Sequence, residues 1–341
     1  MVLFGAGMIS RAHGAAARLS KMPIIAVASR SSARAAERAT EFGARPVTYD
    51  DIVQRHIDAD IAIVCTPPQC HARDAIALLD AGYAVLLEKP LCRTLAEADA
   101  LVETSARHHG RLLYAENLAY APVVQRLVAM VPQLGRLTHV EVRTLQGLPE
   151  WGDFTSDDWG GGALFDLGVH PLSVALLIAN AAGEGTPTAV SATLVGGPGH
   201  GSDEHAEASI TYASGLRVRV ESSWQRGPTA LWDAQAASDT GVLRAELLPT
   251  PHLEHNGERV DLPAVTVGLP QIEQYGYLAQ LLALADDLEH GTTPLMSASF
   301  GRLVLDVVCA AYRSAGRGGA AEALPFSGAR DRTPLQLWRG A

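Results

Sequence analysis

The first ten residues constrain the fold of this chain more than any other stretch. Residues 1–4, MVLF, have the composition of a short buried strand, and residues 5–10, GAGMIS, lead directly into alanines and a leucine at helical spacing. A glycine turn between a strand and a helix allows a tight bend, close approach of a pyrophosphate and free N–H groups at the helix start. We therefore expect a dinucleotide to bind here, through Gly5, Gly7, Met8, Ile9 and Ser10.

Strand and helix patterns continue to alternate over the first third of the chain. Residues 24–28 and 60–65 are apolar strand segments, and residues 32–42 form a helical pattern that Gly43 ends. One more strand is expected at residues 112–115. This alternation predicts a parallel, doubly wound α/β sheet that binds its ligand at the carboxyl ends of the strands.

The end of the second strand bears on the choice of dinucleotide. An acidic residue usually holds the ribose 2′-hydroxyl of NAD about 20 residues after the glycines, but this chain has Ser29 and Arg30 there, with Arg34 one helical turn later. A hydroxyl and two guanidinium groups suit a 2′-phosphate, so the sequence favours NADP over NAD. The alternative is a solvated helix stripe of paired charges, made of Arg30, Arg34, Arg38, Glu37 and Glu41.

Three motifs beyond the glycine turn resemble those of one enzyme family. They are TPPQCH at residues 66–71, GYAVLLEKPL at 82–91 and DLGVH at 166–170. Together they resemble the Gfo/Idh/MocA family of NAD(P)-dependent oxidoreductases, which act on sugars, cyclitols and related hydroxy compounds, and the resemblance extends over nearly the whole chain. It implies an N-terminal Rossmann domain with further cofactor-binding residues, namely Thr66, Pro67, Pro68, His71, Glu88, Lys89 and Asn117.

Lys89 is the first candidate catalytic residue. It follows a buried apolar strand at the edge where a doubly wound sheet meets its ligand, and its ammonium can stabilise the oxygen of an alcohol or carbonyl as hydride moves. An ion pair with Glu88, or a solvated strand end, is the alternative. In the family that the chain resembles, a cis bond before Pro90 usually turns the lysine toward the nicotinamide, and Asn117 lies near the nicotinamide ribose or amide.

The sequence pattern changes after residue 117. A helix at residues 122–130 precedes segments with alternating faces, which predict a large open, mainly antiparallel sheet at residues 138–145, 189–195, 205–211, 216–224 and 234–248. We therefore expect a Rossmann domain at residues 1–117 and an α+β substrate domain at residues 118–341. The resemblance implies that the open sheet face forms a subunit contact, and hence a homodimer or homotetramer.

Asp166 and His170 are the other candidate catalytic residues. If residues 164–170 begin a helix, the two side chains share one face at i and i+4. An imidazole can take a proton from a hydroxyl at neutral pH, and a carboxylate can fix its orientation or hold a second hydroxyl. A helix-start aspartate beside a core histidine is the alternative. Lys89 and the family pattern favour catalysis, with His170 as general base or acid, Lys89 stabilising the oxygen and Asp166 positioning the substrate.

Some positions depart from the family pattern. Many members carry a Trp-Arg pair before the aspartate, whereas this chain has Trp151 followed by Gly152, which puts an arginine facing the cofactor in doubt. Tyr277 matches a family tyrosine that lines the pocket, or is an ordinary helix aromatic. A nearby acidic group either shapes a polar substrate pocket or is an exposed loop, and consists of Asp153, Asp157 and Asp158 with Trp159.

Composition argues against several kinds of partner. The formal net charge is -10 without a basic block, which argues against nucleic acid or an anionic membrane. No apolar run approaches the roughly 20 residues of a membrane span and no signal peptide is evident, so a cytoplasmic location is expected. The 4 cysteines lack C-x-x-C spacing, so neither a disulfide framework nor a metal site is expected. A small polyol or carbonyl compound is the expected partner.

Two other functions stay open at this point. One is reduction of an imine or a C=C bond, with weaker versions of the same roles for Lys89 and His170. The other is a nucleotide-binding regulator without catalysis, against which the joint presence of Lys89, Asp166 and His170 argues. Residues 146–160 and 224–232 are expected to select the substrate.

Overall fold

The computed structural model describes residues 1–55, 57–196, 201–265 and 269–340, which form two compact units. The first unit contains Met1–Cys92, Ala96–Asn117 and the described part of Thr266–Arg302, and the second contains the other described residues. The part of the chain between residues 269 and 302, which the sequence analysis placed in the second domain, thus groups with the first unit.

A six-stranded parallel sheet forms the core of the first unit and confirms the predicted doubly wound fold. Its strands are β1 (Val2–Phe4), β2 (Ala26–Ala28), β3 (Arg45–Val47), β4 (Ile61–Val64), β5 (Ala84–Glu88) and β6 (Leu112–Ala115). They lie in the order β3-β2-β1-β4-β5-β6, so the strand order reverses between β1 and β4. Ligands of doubly wound sheets bind at such a reversal, beyond the carboxyl ends of the strands.

The edge strand β3 was not predicted, because Arg45 and Pro46 are exposed and give it no apolar pattern. The helices that follow the strands are α1 (Ser10–Ser20), α2 (Ser32–Phe42), α3 (Tyr49–Val53), α4 (Pro68–Asp80) and α5 (Leu95–Arg107). The bounds of α2 are those predicted, and α4 begins at Pro68. Proline is favourable in the first turn of a helix, where its missing N–H has no intrahelical partner to lose.

A nine-stranded sheet forms the core of the second unit. Its strands are β7 (Leu137–Leu145), β8 (Ala189–Gly196), β9 (Asp203–Thr211), β10 (Arg217–Ser223), β11 (Leu231–Ser238), β12 (Val242–Leu248), β13 (His252–His255), β14 (Glu258–Val260) and β15 (Glu322–Ala323). Their order is β14-β13-β12-β11-β7-β10-β9-β8-β15. The neighbours β7 and β10 pair in parallel and the other pairs are antiparallel, which confirms a mainly antiparallel sheet.

Residues 234–248, predicted as one long strand, form the hairpin of β11 and β12 instead. The N–H of Ser238 donates to the carbonyl of Gly241 at 2.9 Å and closes the turn between them. The prediction was wrong because apolar residues alternate on both sides of this turn, so the pattern conceals the break that Asp239 and Gly241 make.

The second unit also contains α6 (Pro122–Met130), α7 (Ala163–Asp166) and α8 (Val169–Ala181). Residues 169–179 of α8 are all buried, since this helix packs on β7, β10 and β11. Its apolar composition on all sides is therefore that of a core helix. The later helices are α9 (Pro270–Gln274), α10 (Tyr277–His290), α11 (Ala298–Gly316) and α12 (Pro334–Trp338), and of these α10 packs on α1 in the first unit.

Candidate active site

The glycine turn between β1 and α1 has the geometry that a dinucleotide requires. Gly5 has a φ of +109°, and a Cβ there would lie 2.6 Å from the carbonyl carbon of Cys65, so only glycine fits. At Gly7 the nearest atom to an added Cβ is the Cys65 oxygen, at an ordinary 3.6 Å. The packing of the protein itself therefore does not require a glycine at position 7. Close approach of a pyrophosphate to the protein backbone would require one.

The start of α1 leaves backbone N–H groups free in the way that an anion site requires. The N-cap residue Ile9 makes no side-chain capping bond, and the amide N–H groups of Gly7, Met8 and Ile9 have no acceptor among the described residues. The hydroxyl of Ser10 donates to the Gly7 carbonyl at 2.6 Å and holds the turn closed. Free N–H groups and the positive end of the helix dipole suit a pyrophosphate, so the residues present fit a bound dinucleotide.

The arginines after β2 divide into two groups. Arg38 is buried and pairs with Glu41, and Arg11 of α1 pairs with Glu37 at 3.3 Å and with Glu41 at 3.2 Å. Arg30 and Arg34 are exposed and have no carboxylate partner among the described residues. The structure thus does not contain the uniform stripe of paired charges that was the alternative. Two guanidinium groups remain available beside Ser29, at the carboxyl end of β2.

The loop after β4 is tied to the loop after β5 by His71. This buried ring places Nε2 2.7 Å from the Thr66 carbonyl and Nδ1 2.8 Å from the Pro90 carbonyl. Burial lowers the pKa of His71, and the two carbonyls together with Glu88 and Asp74 oppose that shift. A neutral ring has one N–H and can donate to only one carbonyl at a time. Both ring nitrogens of His71 thus face backbone carbonyls of the protein. The buried hydroxyl of Thr66 has no partner among the described residues.

Glu88 and Lys89 end β5 at the same sheet edge, and the bond between Lys89 and Pro90 is cis. Glu88 is buried, whereas Lys89 is partly exposed. One oxygen of Glu88 lies 2.8 Å from Nε2 of His13, and the other accepts the N–H of Lys89 at 3.0 Å. Burial alone would raise the pKa of Glu88, but the His13 hydrogen bond and the charges of His13, Lys89 and His71 outweigh it and lower the pKa.

His13 was missed by the sequence analysis, as was Gly14 beside it. His13 is fully buried, and a Cβ on Gly14 would lie 2.2 Å from the ring of Phe42, so α1 and α2 pack closely here. A signal was present in the sequence: His13 shares a helix face with Ala16 and Ala17, and a polar side chain on a buried face needs a partner.

Two other predicted positions in the first unit have partners within the protein. Asn117 is buried, and its Nδ2 donates to the Tyr275 carbonyl at 2.6 Å. Tyr277, at the start of α10, packs edge-on against His13 with ring centroids 5.8 Å apart. Burial raises the pKa of Tyr277, with smaller contributions from Glu88 and Glu116. Both residues thus help to hold the last segment of the first unit against its sheet.

In the second unit, the condition set for Asp166 and His170, one helix over residues 164–170, is not met. α7 ends at Asp166, and α8 begins at Val169. The N–H of Gly168 donates to the Ala163 carbonyl at 2.9 Å and closes α7. A Cβ on Gly168 would lie 2.5 Å from the Leu164 carbonyl oxygen, so this return of the chain requires glycine. Asp166 and His170 are both buried and flank the break between the two helices.

A buried carboxylate that the sequence analysis missed holds α7 in place. Asp203 accepts a hydrogen bond from the Tyr312 hydroxyl at 2.5 Å and another from the N–H of Leu164 at 2.8 Å. Burial raises the pKa of Asp203 to about 6, because neutral donors offset only part of its desolvation. Gly162 has a φ of +109°, and a Cβ there would lie 1.9 Å from the carboxylate oxygen.

The two predicted substrate-selecting segments form one aromatic cluster. Trp224 and Phe154 pack with Ala163 and Leu167, and Trp159 and Trp232 cover them. The ring of Trp232 lies 5.4 Å from that of His170, tilted by 32°. Residues 224–232 therefore place one large aromatic ring beside His170, and residues 146–160 contribute rings to the cluster that this ring packs against.

The acidic group near this cluster is an exposed loop. Asp153, Asp157 and Asp158 are all exposed, and Asp157 pairs with Arg339 at 2.6 Å. Trp151 is also exposed and packs edge-on against Phe154. Of the two alternatives for the acidic group, the structure has the exposed loop.

Comparison with known proteins assigns the chain to a family. Residues 1–116 match the model of an oxidoreductase family with an NAD-binding Rossmann fold, and residues 125–243 match the GFO/IDH/MocA C-terminal domain. The chain belongs to the Gfo/Idh/MocA oxidoreductase family. It is therefore an NAD(P)-dependent oxidoreductase, and the predicted fold and family are confirmed. Among the described residues, no helix is both long and apolar enough to cross a membrane.

Several family members are similar over most of their length. D-xylose 1-dehydrogenase (NADP(+)) 2 of Haloferax volcanii is 28% identical over 90% of this chain and 94% of its own. A putative UDP-kanosamine synthase oxidoreductase subunit of Amycolatopsis mediterranei is 30% identical over 66% of this chain and 72% of its own. The crystal structure of GenD2 from gentamicin A biosynthesis, in complex with NAD, has a TM-score of 0.82 at 23% identity and covers 95% of both chains. That likeness shows a shared fold.

Proposed function

We propose that this enzyme transfers hydride reversibly between NADP and a secondary alcohol carbon of a sugar, cyclitol or related polyol. The observation that carries the proposal is Lys89, a partly exposed lysine beside a buried, ionised Glu88 at the carboxyl end of β5. A cation held at this edge of the sheet suits an oxygen that develops negative charge. The names of relatives, which include D-xylose 1-dehydrogenase and D-glucoside 3-dehydrogenase, support a sugar substrate.

The preference for NADP rests on Arg30 and Arg34. Both guanidinium groups are exposed without a carboxylate partner among the described residues, and they lie at the start of α2, which Ser31 caps by accepting the N–H of Arg34 at 3.3 Å. Two arginines beside a helix start suit a phosphate on the ribose 2′-oxygen. One relative is named as NADP-dependent and one matching structure contains NAD, so the family as compared accommodates both.

Each candidate catalytic residue has one role in this proposal. The nicotinamide, when bound, supplies or accepts the hydride. Lys89 donates a hydrogen bond to the substrate oxygen and stabilises its negative charge. His170 takes the hydroxyl proton in oxidation and returns it in reduction, and Asp166 positions the substrate. Trp232, beside the His170 ring, limits the orientations that the imidazole can adopt.

We also propose that the chain acts in the cytoplasm as a homodimer or homotetramer, with the open face of the nine-stranded sheet as its contact. The exposed side of β7, β9 and β10 is polar and charged, with ion pairs that Arg219 makes to Glu141 and Glu207. Light scattering after size-exclusion chromatography measures the assembly, and a monomer at micromolar concentration would contradict it.

Two measurements test the proposed function in sequence. Titration by protein fluorescence quenching gives the dissociation constants of NADPH and NADH, and binding of neither would overturn the assignment of the first unit. A screen of aldoses, glycosides, inositols and ketones then follows NADPH absorbance, with Lys89→Ala and His170→Ala as controls. We expect turnover of at least one sugar or polyol that both substitutions abolish. Turnover that survives both would refute the proposed roles.

A further inference from the structure

The strand end that bears Lys89 is joined to the glycine-turn helix by one buried side-chain pair. His13 is the fourth residue of α1, and Glu88 is the last residue of β5. Their side chains meet at 2.8 Å, with 0% of His13 and 7% of the Glu88 side chain exposed. The second oxygen of Glu88 accepts the backbone N–H of Lys89 at 3.0 Å. A continuous chain of contacts therefore runs from α1 to Lys89.

The chemistry of the pair defines which of the two side chains donates the hydrogen bond. Glu88 is ionised, since its pKa is lowered, and a carboxylate only accepts hydrogen bonds. The proton in the contact must therefore lie on Nε2 of His13, and Nδ1 has no hydrogen-bond partner among the described residues. The edge of the His13 ring packs against Tyr277. Among the described residues, this buried ring therefore makes one hydrogen bond, which it donates to Glu88.

We propose that His13 and Glu88 are a positioning pair for Lys89, which sets both the backbone position and the charge environment of the lysine relative to the cofactor helix. The inference rests on the proposed function, since Lys89 is there the group that contacts the substrate oxygen. Neither His13 nor Glu88 needs to touch the substrate. His13 acts through Glu88, and Glu88 acts through the N–H and the ammonium of Lys89.

The charge of Glu88 depends on His13 more than on any other neighbour. Titratable groups face this carboxylate from several elements, namely His13 of α1, Cys65 after β4, His71 of α4, Lys89, Tyr114 of β6 and Tyr277 of α10. Among the stabilising interactions, the hydrogen bond of His13 opposes desolvation most strongly. Without this donor, desolvation favours a neutral Glu88, and Lys89 loses the negative charge beside it.

The lysine content of the chain allows a test that needs no substrate. Lys21 and Lys89 are its two lysines, and Lys21 is exposed at the end of α1. Trace acylation of amines over a range of pH, with peptide quantification by mass spectrometry, gives a labelling midpoint for each. The experiment compares full-length wild type with His13→Leu, which removes the donor, His13→Gln, which keeps an N–H donor, and Glu88→Gln, which removes the charge but keeps the shape.

We expect the Lys89 midpoint to fall by about one pH unit in His13→Leu and in Glu88→Gln, and to stay near the wild-type value in His13→Gln. The Lys21 midpoint should be the same in all four proteins. If His13→Leu does not fold, the other two variants still test the proposal, because the Lys89 midpoint should fall in Glu88→Gln and stay near the wild-type value in His13→Gln. Equal Lys89 midpoints in wild type and Glu88→Gln, or a His13→Gln midpoint as low as that of Glu88→Gln, would overturn the proposal.

Kinetics on a substrate from the screen give the second readout. His13→Leu should lower kcat roughly tenfold to 100-fold, because a small displacement of a catalytic group has effects of that size, while the NADPH dissociation constant changes less than threefold. His13→Gln should recover most of kcat. A loss of kcat that His13→Gln shares equally would indicate a packing role alone. Failure of the sugar screen would refute the proposed substrate and leave the labelling result intact, so the two failures are distinguishable.

Discussion

Each unit of this enzyme contains a buried carboxylate that accepts a backbone N–H at or near a candidate catalytic residue, and these two carboxylates, Glu88 and Asp203, are stabilised differently. Glu88 in the first unit has His13, Lys89 and His71 nearby, and its pKa is lowered despite burial. Asp203 in the second unit accepts hydrogen bonds from the Tyr312 hydroxyl and from backbone N–H groups, and its pKa is raised to about 6.

The difference shows what decides the charge of a buried acid. Both groups are hydrogen-bonded, so hydrogen bonding alone does not separate them. Glu88 also has the charges of His13, Lys89 and His71 nearby, whereas the causes of the Asp203 shift include no cation. In the first unit, a buried negative charge is thus compensated by positive charge. This suits a region where the cofactor phosphates and the Lys89 ammonium are expected to lie. The second unit compensates Asp203 with neutral donors and places the Trp232 ring beside His170.

The largest expected effect is the loss of the cation in the first unit. Lys89→Met should lower kcat on the order of 1,000-fold or more, about 4 kcal/mol, because the substrate oxygen loses its stabilising donor. Steady-state kinetics with NADP and the sugar or polyol from the screen measure it. The matched control is Lys21→Met, the other lysine of the chain, which should leave kcat unchanged. A loss below tenfold in Lys89→Met would remove Lys89 from the chemistry.

The next effect concerns the close approach of Gly162 to Asp203 in the second unit. Gly162→Ala should lower the free energy of unfolding by about 3 to 4 kcal/mol, since the new Cβ would lie 1.9 Å from Asp203 Oδ1 at a φ of +109°. Denaturant unfolding measures it. Gly183→Ala is the control, because Gly183 also has a positive φ, +78°, but no atom within 4 Å of an added Cβ. That control should cost about 1 kcal/mol. Equal losses would mean that the close approach to Asp203 is unimportant.

The pH dependence of stability tests the raised pKa of Asp203. The folded protein holds this proton up to about pH 6, whereas the unfolded chain releases it near 3.8. Folding therefore takes up a proton between these values, and the contribution of Asp203 to the free energy of unfolding rises as pH falls through this window, by about 3 kcal/mol. Asp203→Asn removes the titration. Between pH 7.5 and pH 4, wild type should gain most of this amount relative to Asp203→Asn, and an equal change in the two proteins would contradict the prediction.

The two regions also differ in how much of them the sequence predicts. The glycine turn lies within the first ten residues, so its geometry could be read from local spacing, and the parallel sheet followed from alternating patterns. Lys89 could be placed at the ligand edge because it directly follows a buried strand. His13 could not be paired with Glu88, since 75 residues separate them and their contact depends on how α1 packs against the sheet.

The second region was predicted less completely because its contacts are less local. Asp203 lies 39 residues from Leu164 and 109 residues from Tyr312, and no spacing rule joins such positions. The break between α7 and α8 depends on the close return of the chain at Gly168, which hydrophobic periodicity does not reveal. Asp166 and His170 were singled out by the family motif, and the geometry that surrounds them came from tertiary structure.

The smallest expected effect concerns Arg30 in the first unit and the choice between NADP and NAD. If Arg30 binds the 2′-phosphate, wild type should bind NADPH at least tenfold more tightly than NADH, about 1.4 kcal/mol, and Arg30→Ala should lose that preference without weakening NADH binding. Fluorescence titration measures all four dissociation constants. Arg18→Ala, which replaces an exposed arginine in the last turn of α1, controls for the general loss of positive charge and should keep the preference. Equal affinities in wild type would mean that Arg30 does not bind the cofactor, and the preference for NADP would then be refuted.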